Sequence, residues 1–209
     1  TTLIERYGRF VLDAMERGTL YFPSSDHSTF GIMYQQAVLG ERPDLVLADK
    51  YGLVEESVLE GVMSVEDRAR LAATPGRDQR KVREAILIER WHGPVAFANK
   101  RDSSDLDGRT LEPCGPLFRL MTPEQARAWW ATPPGGGDPP GLAIWTEHDP
   151  LADFDESQAV DFTVMMVAGD LIYMHGFALL AAGRLEEATA MWQGLHADLA
   201  PLKQLFNNA

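Results

Sequence analysis

A short polar run at residues 24–28 brings together the side-chain types of nucleophilic catalysis: serine, aspartate and histidine. A hydrolytic triad needs these groups to point at one another, which neighbours in sequence seldom do. The Gly-x-Ser-x-Gly turn that presents the nucleophile in many hydrolases is absent from the chain. The run can instead cap a helix, or offer backbone amides to an anionic or sugar ligand. A small-molecule enzyme built on this loop is a further alternative.

Other groups that could bind a metal lack the necessary spacing. Asp149, Asp153, Asp155 and Glu156 form an acidic cluster, but a calcium loop also needs a glycine at its sharp turn. The five histidines show no His-Glu-x-x-His spacing, and Cys114 is the single cysteine. A cysteine-based zinc site and an internal disulfide are therefore excluded. The sequence predicts no cofactor and no metal.

The charge balance limits the classes of partner. The 209 residues include 19 Lys and Arg against 31 Asp and Glu, a formal net charge of −12. Such a chain is repelled by nucleic acids and by anionic lipid. The longest uncharged stretch of the apolar C-terminal region, residues 171–183, is shorter than the roughly 20 residues of a membrane-spanning helix. We therefore expect no membrane span, and the start without Met suggests a piece of a longer protein.

Residues 1–122 are predicted to form an α/β domain whose small sheet is mostly parallel and flanked by helices. Short apolar runs predict four strands, at residues 19–22, 45–48, 95–98 and 117–121. Apolar residues at spacings of three and four predict helices over residues 3–18, 26–40, 55–63, 65–73 and 79–90. This alternation of helix and strand is typical of a parallel sheet.

Residues 123–150 are predicted to be a helix followed by a linker, and residues 151–209 an all-α tail. Residues 133–141 contain only Pro, Gly and Asp, so we expect neither helix nor strand there. The tail is predicted to hold a long apolar helix that Gly183 ends, followed by a second helix over residues 185–199.

Small and large residues of the tail are spaced as in one tetratricopeptide repeat. Gly176, Ala188 and Trp192 fall where two antiparallel helices would interlock, and Pro201 lies within one residue of a further repeat position. The alternative is an ordinary helical hairpin. Because an isolated repeat leaves apolar faces uncovered, we expect the tail to pack on the α/β part or on a protein partner.

The stretch from Ser25 to Leu45 resembles a motif of large polytopic membrane proteins that are similar to GT-C glycosyltransferases and related to protein O-mannosyltransferases. The family pattern is Gly-Asp-x-Asp-Thr-Phe-Pro-x-x-Tyr-x-Gln followed by Gly-x-Arg-Pro-Asp-Val. Ser25, Ser28 and Gly31 depart from it, where the family has Gly, Asp and Pro. Nine residues match at the same spacing: Asp26, Thr29, Phe30, Tyr34, Gln36, Gly40, Arg42, Pro43 and Asp44.

The resemblance implies a non-catalytic domain at the extracytoplasmic, periplasmic face of a membrane. In that architecture the catalytic carboxylate and the lipid-linked sugar donor site belong to the membrane-embedded N-terminal region, so the full-length parent, not this chain, would transfer sugar. The implied partners are the transmembrane portion of the same polypeptide and an acceptor protein or glycan. The candidate ligand-binding residues are Asp26, His27, Ser28, Thr29, Tyr34, Arg42 and Asp44.

Two alternatives stay open beside this interpretation. Within the motif, the run from Arg42 to Asp44 can be a turn whose arginine pairs with a nearby carboxylate, with Phe30 and Tyr34 in the core. At the level of function, the chain can be a protein–protein interaction module that binds through its helical tail and is unrelated to glycosylation.

Overall fold

The computed structural model describes residues 2–24, 26–48, 61–99, 106, 108–148 and 162–198. They form two compact units. The sheet unit consists of Met15–Leu111 and Phe118–Pro123, and the helical unit gathers the N-terminal residues to Ala14, Glu112–Leu117 and the chain from Glu124 onward. The division into residues 1–122, 123–150 and 151–209 stays a prediction from composition.

Five strands form one mixed sheet in the order β2-β1-β3-β5-β4. β1 is parallel to both β2 and β3, whereas β3 is antiparallel to β5. The α/β class is thus confirmed, but the expected mostly parallel sheet is not, because the last strands return through a two-residue turn that is too short for a parallel crossover. The strands are β1 (Leu20–Phe22), β2 (Val46–Leu47), β3 (Val95–Phe97), β4 (Thr110–Cys114) and β5 (Leu117–Met121).

β4 is the strand that the apolar runs did not predict. Its sequence, Thr-Leu-Glu-Pro-Cys, has no run of β-branched or aromatic residues and contains Pro113. Proline cannot donate to a neighbouring strand, so it is tolerated mainly at a sheet edge. β4 is the last strand in the order, which is such an edge.

Three helices belong to the sheet unit: α2 (Asp26–Ala37), α3 (Val65–Ala73) and α4 (Gly76–Arg90). α3 begins with a capping box between Ser64 and Asp67, and the Asp67 carboxylate also accepts from Arg90 at 3.0 Å, which ties α3 to the end of α4. The first six residues of the helix predicted over residues 55–63 lie outside the described chain.

One face of the sheet packs against α4 to form the core of this unit. Strand side chains alternate between the two faces of a sheet, so Leu20 and Phe22 share a face. Phe22 stacks there on Phe97, with ring centroids 4.8 Å apart. Leu87 and Ile88 of α4 cover this face.

The helical unit contains α1 (Leu3–Asp13), α5 (Pro123–Trp129), α6 (Pro140–Glu147), α7 (Phe162–Ala181) and α8 (Leu185–Asp198). α1 starts with a capping box between Thr2 and Glu5 and ends five residues before the predicted Gly18. α6 begins inside residues 133–141, where no helix was expected. Pro140 opens it because proline is tolerated in the first helical turn, where its missing N–H has no partner to lose.

α7 is a longer apolar segment than the uncharged stretch of residues 171–183 suggested. Its window Val164–Ala181 has 18 residues and a mean hydropathy of 1.6, which is long and apolar enough to cross a membrane by length and composition alone. The expectation of no such segment was wrong because one carboxylate, Asp170, interrupts the apolar run without lowering its average enough. Core helices of soluble proteins pass the same criterion, and 39% of this window is buried in the structure.

Candidate functional site

The carboxyl ends of β1, β2 and β3 lie at one edge of the sheet because these strands are mutually parallel. In the sheet, β2 lies on one side of β1 and β3 lies on the other. The connection that follows β1 and the later connection to β3 therefore run to opposite sides of β1. In open α/β sheets, ligands bind where neighbouring connections diverge in this way, outside the carboxyl ends of the strands. This edge, between β1 and β3, is therefore the candidate site.

The segment after β1 brings the predicted polar run to this edge. Pro23 is buried and Ser24 is half-buried, and α2 begins at Asp26. The predicted ligand residues Asp26, His27 and Ser28 thus have helical backbone in the first turn of α2, while their side chains lie outside the described part. Thr29 follows in the same turn and is half-buried.

Asn99 is a polar residue at this edge that the sequence interpretation missed. It is exposed and follows Phe97, the last residue of β3, by two positions. A polar residue directly after a buried strand is the signal that would have identified it, once β3 is known to neighbour β1.

The aromatic residues of α2 do not lie in the core. Phe30 is 60% exposed and Tyr34 is 52% exposed, and Val38, one turn further on, is also exposed. Ile32 and Gln35 supply the buried face of the helix instead. Placing Phe30 and Tyr34 in the core was wrong, and the carboxyl edge of the sheet is followed by an exposed apolar stripe on α2.

Arg42 and Asp44 form a polar clip that joins two loops of the sheet unit. The Arg42 guanidinium bonds both carboxylate oxygens of Asp44 at 3.0 Å and donates to the backbone carbonyls of Met15 and Glu16 at 3.0 and 3.1 Å. Asp44 in turn accepts from the Gly18 backbone N–H at 3.0 Å. Arg42 therefore pairs with a nearby carboxylate, as the structural alternative predicted.

Gln36 and Gly40 support the same clip. Gln36 Nε2 donates to the backbone carbonyls of Arg42 and Leu45, at 2.9 and 3.1 Å, which fixes the chain between α2 and β2. Gly40 has φ +70° and Arg42 has φ +47°, both in the left-handed region. Glycine adopts that region without cost, whereas arginine does so here under the restraint of its several hydrogen bonds.

The clip lowers the pKa of the Asp44 carboxyl far below its ordinary value of 3.8. Hydrogen bonds from the Arg42 side chain are the main cause, and the bond from the Gly18 N–H adds to them. Asp44 is therefore ionised at all ordinary pH values, and its oxygens serve the fold.

The candidate ligand residues thus separate into two groups. Arg42 and Asp44 contact each other within the clip, while Thr29 and Tyr34 lie on α2. Asp26 and Tyr34 are eight residues apart, which is about 12 Å along a helix. The structure places the predicted residues on one helix and one turn without assembling a catalytic constellation from those it describes.

The tail of the chain forms the helical hairpin that its small and large residues predicted. α7 and α8 pack against each other, and a Cβ added at Gly176 would meet the Trp192 indole nitrogen at 2.2 Å. Ala188 is fully buried, and Trp192 Nε1 donates to the Tyr173 carbonyl at 3.3 Å. The absent side chain at Gly176 is what lets the indole lie against α7.

α7 also carries exposed apolar side chains, called here the α7 stripe: Met166, Tyr173 and Leu180. They recur every seven residues and so follow one line along the helix. Tyr173 packs edge-to-face on Phe177, with ring centroids 4.7 Å apart. Among the described residues, the stripe is an exposed apolar surface in addition to that of α2.

No protein-family model, curated protein or solved structure matches this chain. A function is therefore inferred from the motif between Asp26 and Asp44 and from the contacts of the described residues.

The described residues include no metal-binding cluster. Among them, no group of three or more His, Cys, Asp or Glu side chains is placed to hold a metal ion. Asp44 is bonded into the clip and its pKa is lowered far below its ordinary value, whereas a general acid or base needs a pKa near the working pH. An exposed aromatic pair beside a helix N-terminus is suited to contact a ligand's apolar face.

Proposed function

We propose that this chain is a non-catalytic extracytoplasmic domain of a membrane glycosyltransferase similar to protein O-mannosyltransferases, and that it positions an acceptor protein or glycan. The observation that carries the proposal is the motif of nine matching residues between Asp26 and Asp44. Its partners would be the transmembrane portion of the same polypeptide and the acceptor. Its location would be the periplasmic face of the membrane, where the parent protein is tethered.

The clip supports this proposal by separating the motif into two halves. Gln36, Gly40, Arg42 and Asp44 all serve the connection between α2 and β2, by their hydrogen bonds or their backbone conformation. The fold therefore explains why the second half needs these residue types.

The two aromatic residues in the first half of the motif have no such structural explanation. Phe30 and Tyr34 expose more than half of their surface, so packing does not require aromatic residues there. Aromatic rings bind the apolar faces of sugars and peptides, and the hydroxyl of Thr29 and the start of α2 offer polar partners beside them. We assign the ligand surface to the first half, residues 26–34.

Titration of the isotopically labelled chain with two probes tests this proposal. The probes are a Ser/Thr-rich acceptor peptide and the same peptide carrying O-linked mannose. We expect saturable amide shift changes concentrated in residues 26–34, and an affinity at least tenfold lower in Thr29→Ala/Tyr34→Ala. Val65→Ala is the matched control, because Val65 is 77% exposed on α3 of the same unit.

Two results would overturn the proposal. One is sugar transfer by this chain alone from polyprenyl-phosphate mannose to the acceptor peptide, which would make the domain catalytic. The other is the absence of any shift change with either peptide while the chain stays folded.

A protein–protein interaction module is the second candidate function, and the α7 stripe favours it. Helical pairs of the tetratricopeptide kind bury their faces on neighbours, and the interlock of Gly176 and Trp192 is the packing such a repeat uses. In this case proteins would bind the helical unit, and the glycosylated and plain peptides would leave residues 26–34 unchanged.

A further inference from the structure

The α7 stripe has the dimensions of a helix-binding surface. Met166, Tyr173 and Leu180 are 43%, 51% and 41% exposed, and 14 residues of helix separate the first from the last, a length of about 21 Å. Side chains every seven residues are what a second helix lying along α7 would contact.

The opposite face of α7 is committed to the core of the helical unit. Val167, Leu171 and Ala178 are fully buried there. The helix that carries the stripe is therefore held in place by the packing of its opposite face. Tyr173 is restrained further by Phe177 and by Trp192, whose ring centroids lie 4.7 and 6.2 Å from its own. A rigid, half-exposed aromatic residue with a polar tip is typical of the anchor of a binding surface.

The stretch of sequence that contains the stripe is almost entirely negative in charge. Residues 128–202 contain eleven Asp and Glu but a single basic residue, Arg184, so they hold ten of the net negative charges of the chain. Arg184 already pairs with Asp138 and Glu187. Asp170 lies on α7 between Met166 and Tyr173, and Glu186 is exposed at the start of α8.

This negative charge indicates which kind of partner would bind the exposed apolar face of α7. An acidic surface repels anionic lipid and a second copy of itself, and residues 128–183 contain no Lys or Arg to bind lipid phosphates. A helix with an apolar stripe and Lys or Arg on its flanks would gain from both the apolar contact and the charge.

We propose that the α7 stripe binds a cationic amphipathic helix of a partner protein. The inference rests on the second candidate function, protein binding by the helical tail, and is independent of glycan binding at residues 26–34. It specifies the chemistry of the partner: apolar residues at helical spacing, flanked by basic residues.

Fluorescence anisotropy with designed peptides tests the proposal. The probe is an 18-residue amphipathic peptide of Leu and Lys, and its counterpart has Glu in place of every Lys. We expect the Lys peptide to bind and its affinity to fall severalfold when the salt concentration rises from 50 to 500 mM, because salt screens the attraction. The Glu peptide should not bind.

Substitutions locate the binding surface. Met166→Gln/Leu180→Gln should lower the affinity for the Lys peptide about tenfold. Val38→Gln/Leu39→Gln removes apolar surface of comparable exposure from the sheet unit, outside residues 26–34, and should leave the affinity unchanged. Circular dichroism shows whether each variant keeps its helical content, which we expect because all four side chains are exposed.

Each contrary result has a definite meaning. Equal binding of the two peptides would overturn the charge requirement while leaving protein binding by the tail intact. Full affinity in Met166→Gln/Leu180→Gln would overturn the assignment to α7. Binding to phosphatidylcholine vesicles without binding to either peptide would identify a lipid surface as the occupant and overturn the proposal. None of these results changes the outcome expected for the peptide titration of residues 26–34, so the two proposals can fail independently.

Discussion

The sheet unit and the helical unit are stabilised by different kinds of contact. In the sheet unit, charged side chains bond to groups far away in sequence: Arg42 reaches the carbonyls of Met15 and Glu16, and Asp67 pairs with Arg90. In the helical unit the defining contact is one of shape, the indole of Trp192 against Gly176. Ion pairs and charged hydrogen bonds thus stabilise the fold of the sheet unit, whereas close packing of side chains of different size stabilises the helical unit.

The same difference separates the charges that are available to a partner. The residues of the sheet unit include 14 Lys and Arg and 16 Asp and Glu, a near balance, whereas those of the helical unit include 5 Lys and Arg and 15 Asp and Glu. Carboxylates without enough cations to pair with must be neutralised by solvent ions or by a partner. The helical unit therefore carries most of the excess negative charge that a cationic partner could neutralise. The sheet unit can contact ligands through its exposed aromatic residues.

The largest effect should come from removing the clip. Arg42→Ala deletes the bonds to Asp44 and to two backbone carbonyls and leaves a carboxylate without its cation, so we expect a loss of about 3 kcal/mol in the free energy of unfolding. Urea unfolding measures the loss, and hydrogen exchange should localise it to β1 and β2.

Two control variants separate the side chain of Arg42 from its backbone. Arg42→Gly suits the φ of +47°, so it should lose less stability than Arg42→Ala but still be destabilised. Arg77→Ala removes an arginine that is exposed, as is its partner Asp78, and it should be nearly neutral. If Arg42→Ala were as mild as Arg77→Ala, the sheet unit would not depend on the clip.

A smaller effect should follow from filling the gap at Gly176. In Gly176→Ala the new methyl group would clash with Trp192, so we expect a destabilisation of about 1–2 kcal/mol although alanine favours helix. Gly169→Ala is the matched control on the same helix, because its Cβ would meet open space, and it should stabilise by up to about 1 kcal/mol. Thermal unfolding of both variants measures the difference, and equal signs would contradict a packing based on shape.

The sequence predicted those contacts that depend on local spacing. The hairpin of α7 and α8 follows from helical periodicity and from Gly183, and the interlock of Gly176 and Trp192 follows from residue size. β1, β2 and β3 were predicted because short apolar runs suit strands that are buried on both faces.

Contacts that depend on distant parts of the chain could not be predicted in this way. The bond from Arg42 to Met15 spans 27 residues. Phe30 and Tyr34 mark one face of α2, but a spacing of four does not reveal whether that face meets the core or the solvent, since Ile32 offers an apolar alternative on the other side. The candidate site was therefore predicted in position along the chain but not in the exposure of its residues.

The pH dependence of the sheet unit should reveal the same clip. Because the pKa of Asp44 is lower in the folded chain than its ordinary 3.8, its stabilising contribution is complete above that value and disappears as the pH falls toward the folded pKa. We expect Asp44→Asn to cost about 1–2 kcal/mol at pH 7 and progressively less below pH of about 4. Urea unfolding of both proteins at a series of pH values measures this, and a constant difference would assign the effect to shape instead of charge.

The smallest effect on stability should come from the charged pair of the helical unit. Arg184 contacts Asp138 and Glu187 at the surface, where solvent screens ion pairs, so Arg184→Gln should leave the unfolding midpoint unchanged. The substitution nevertheless removes the only cation between residues 128 and 202. The affinity for the Lys peptide should therefore rise severalfold at 50 mM salt and return to the unsubstituted level at 500 mM. A loss of stability with no gain in affinity would mean that this charge serves the fold, as Arg42 does, and the contrast between the two units would fail.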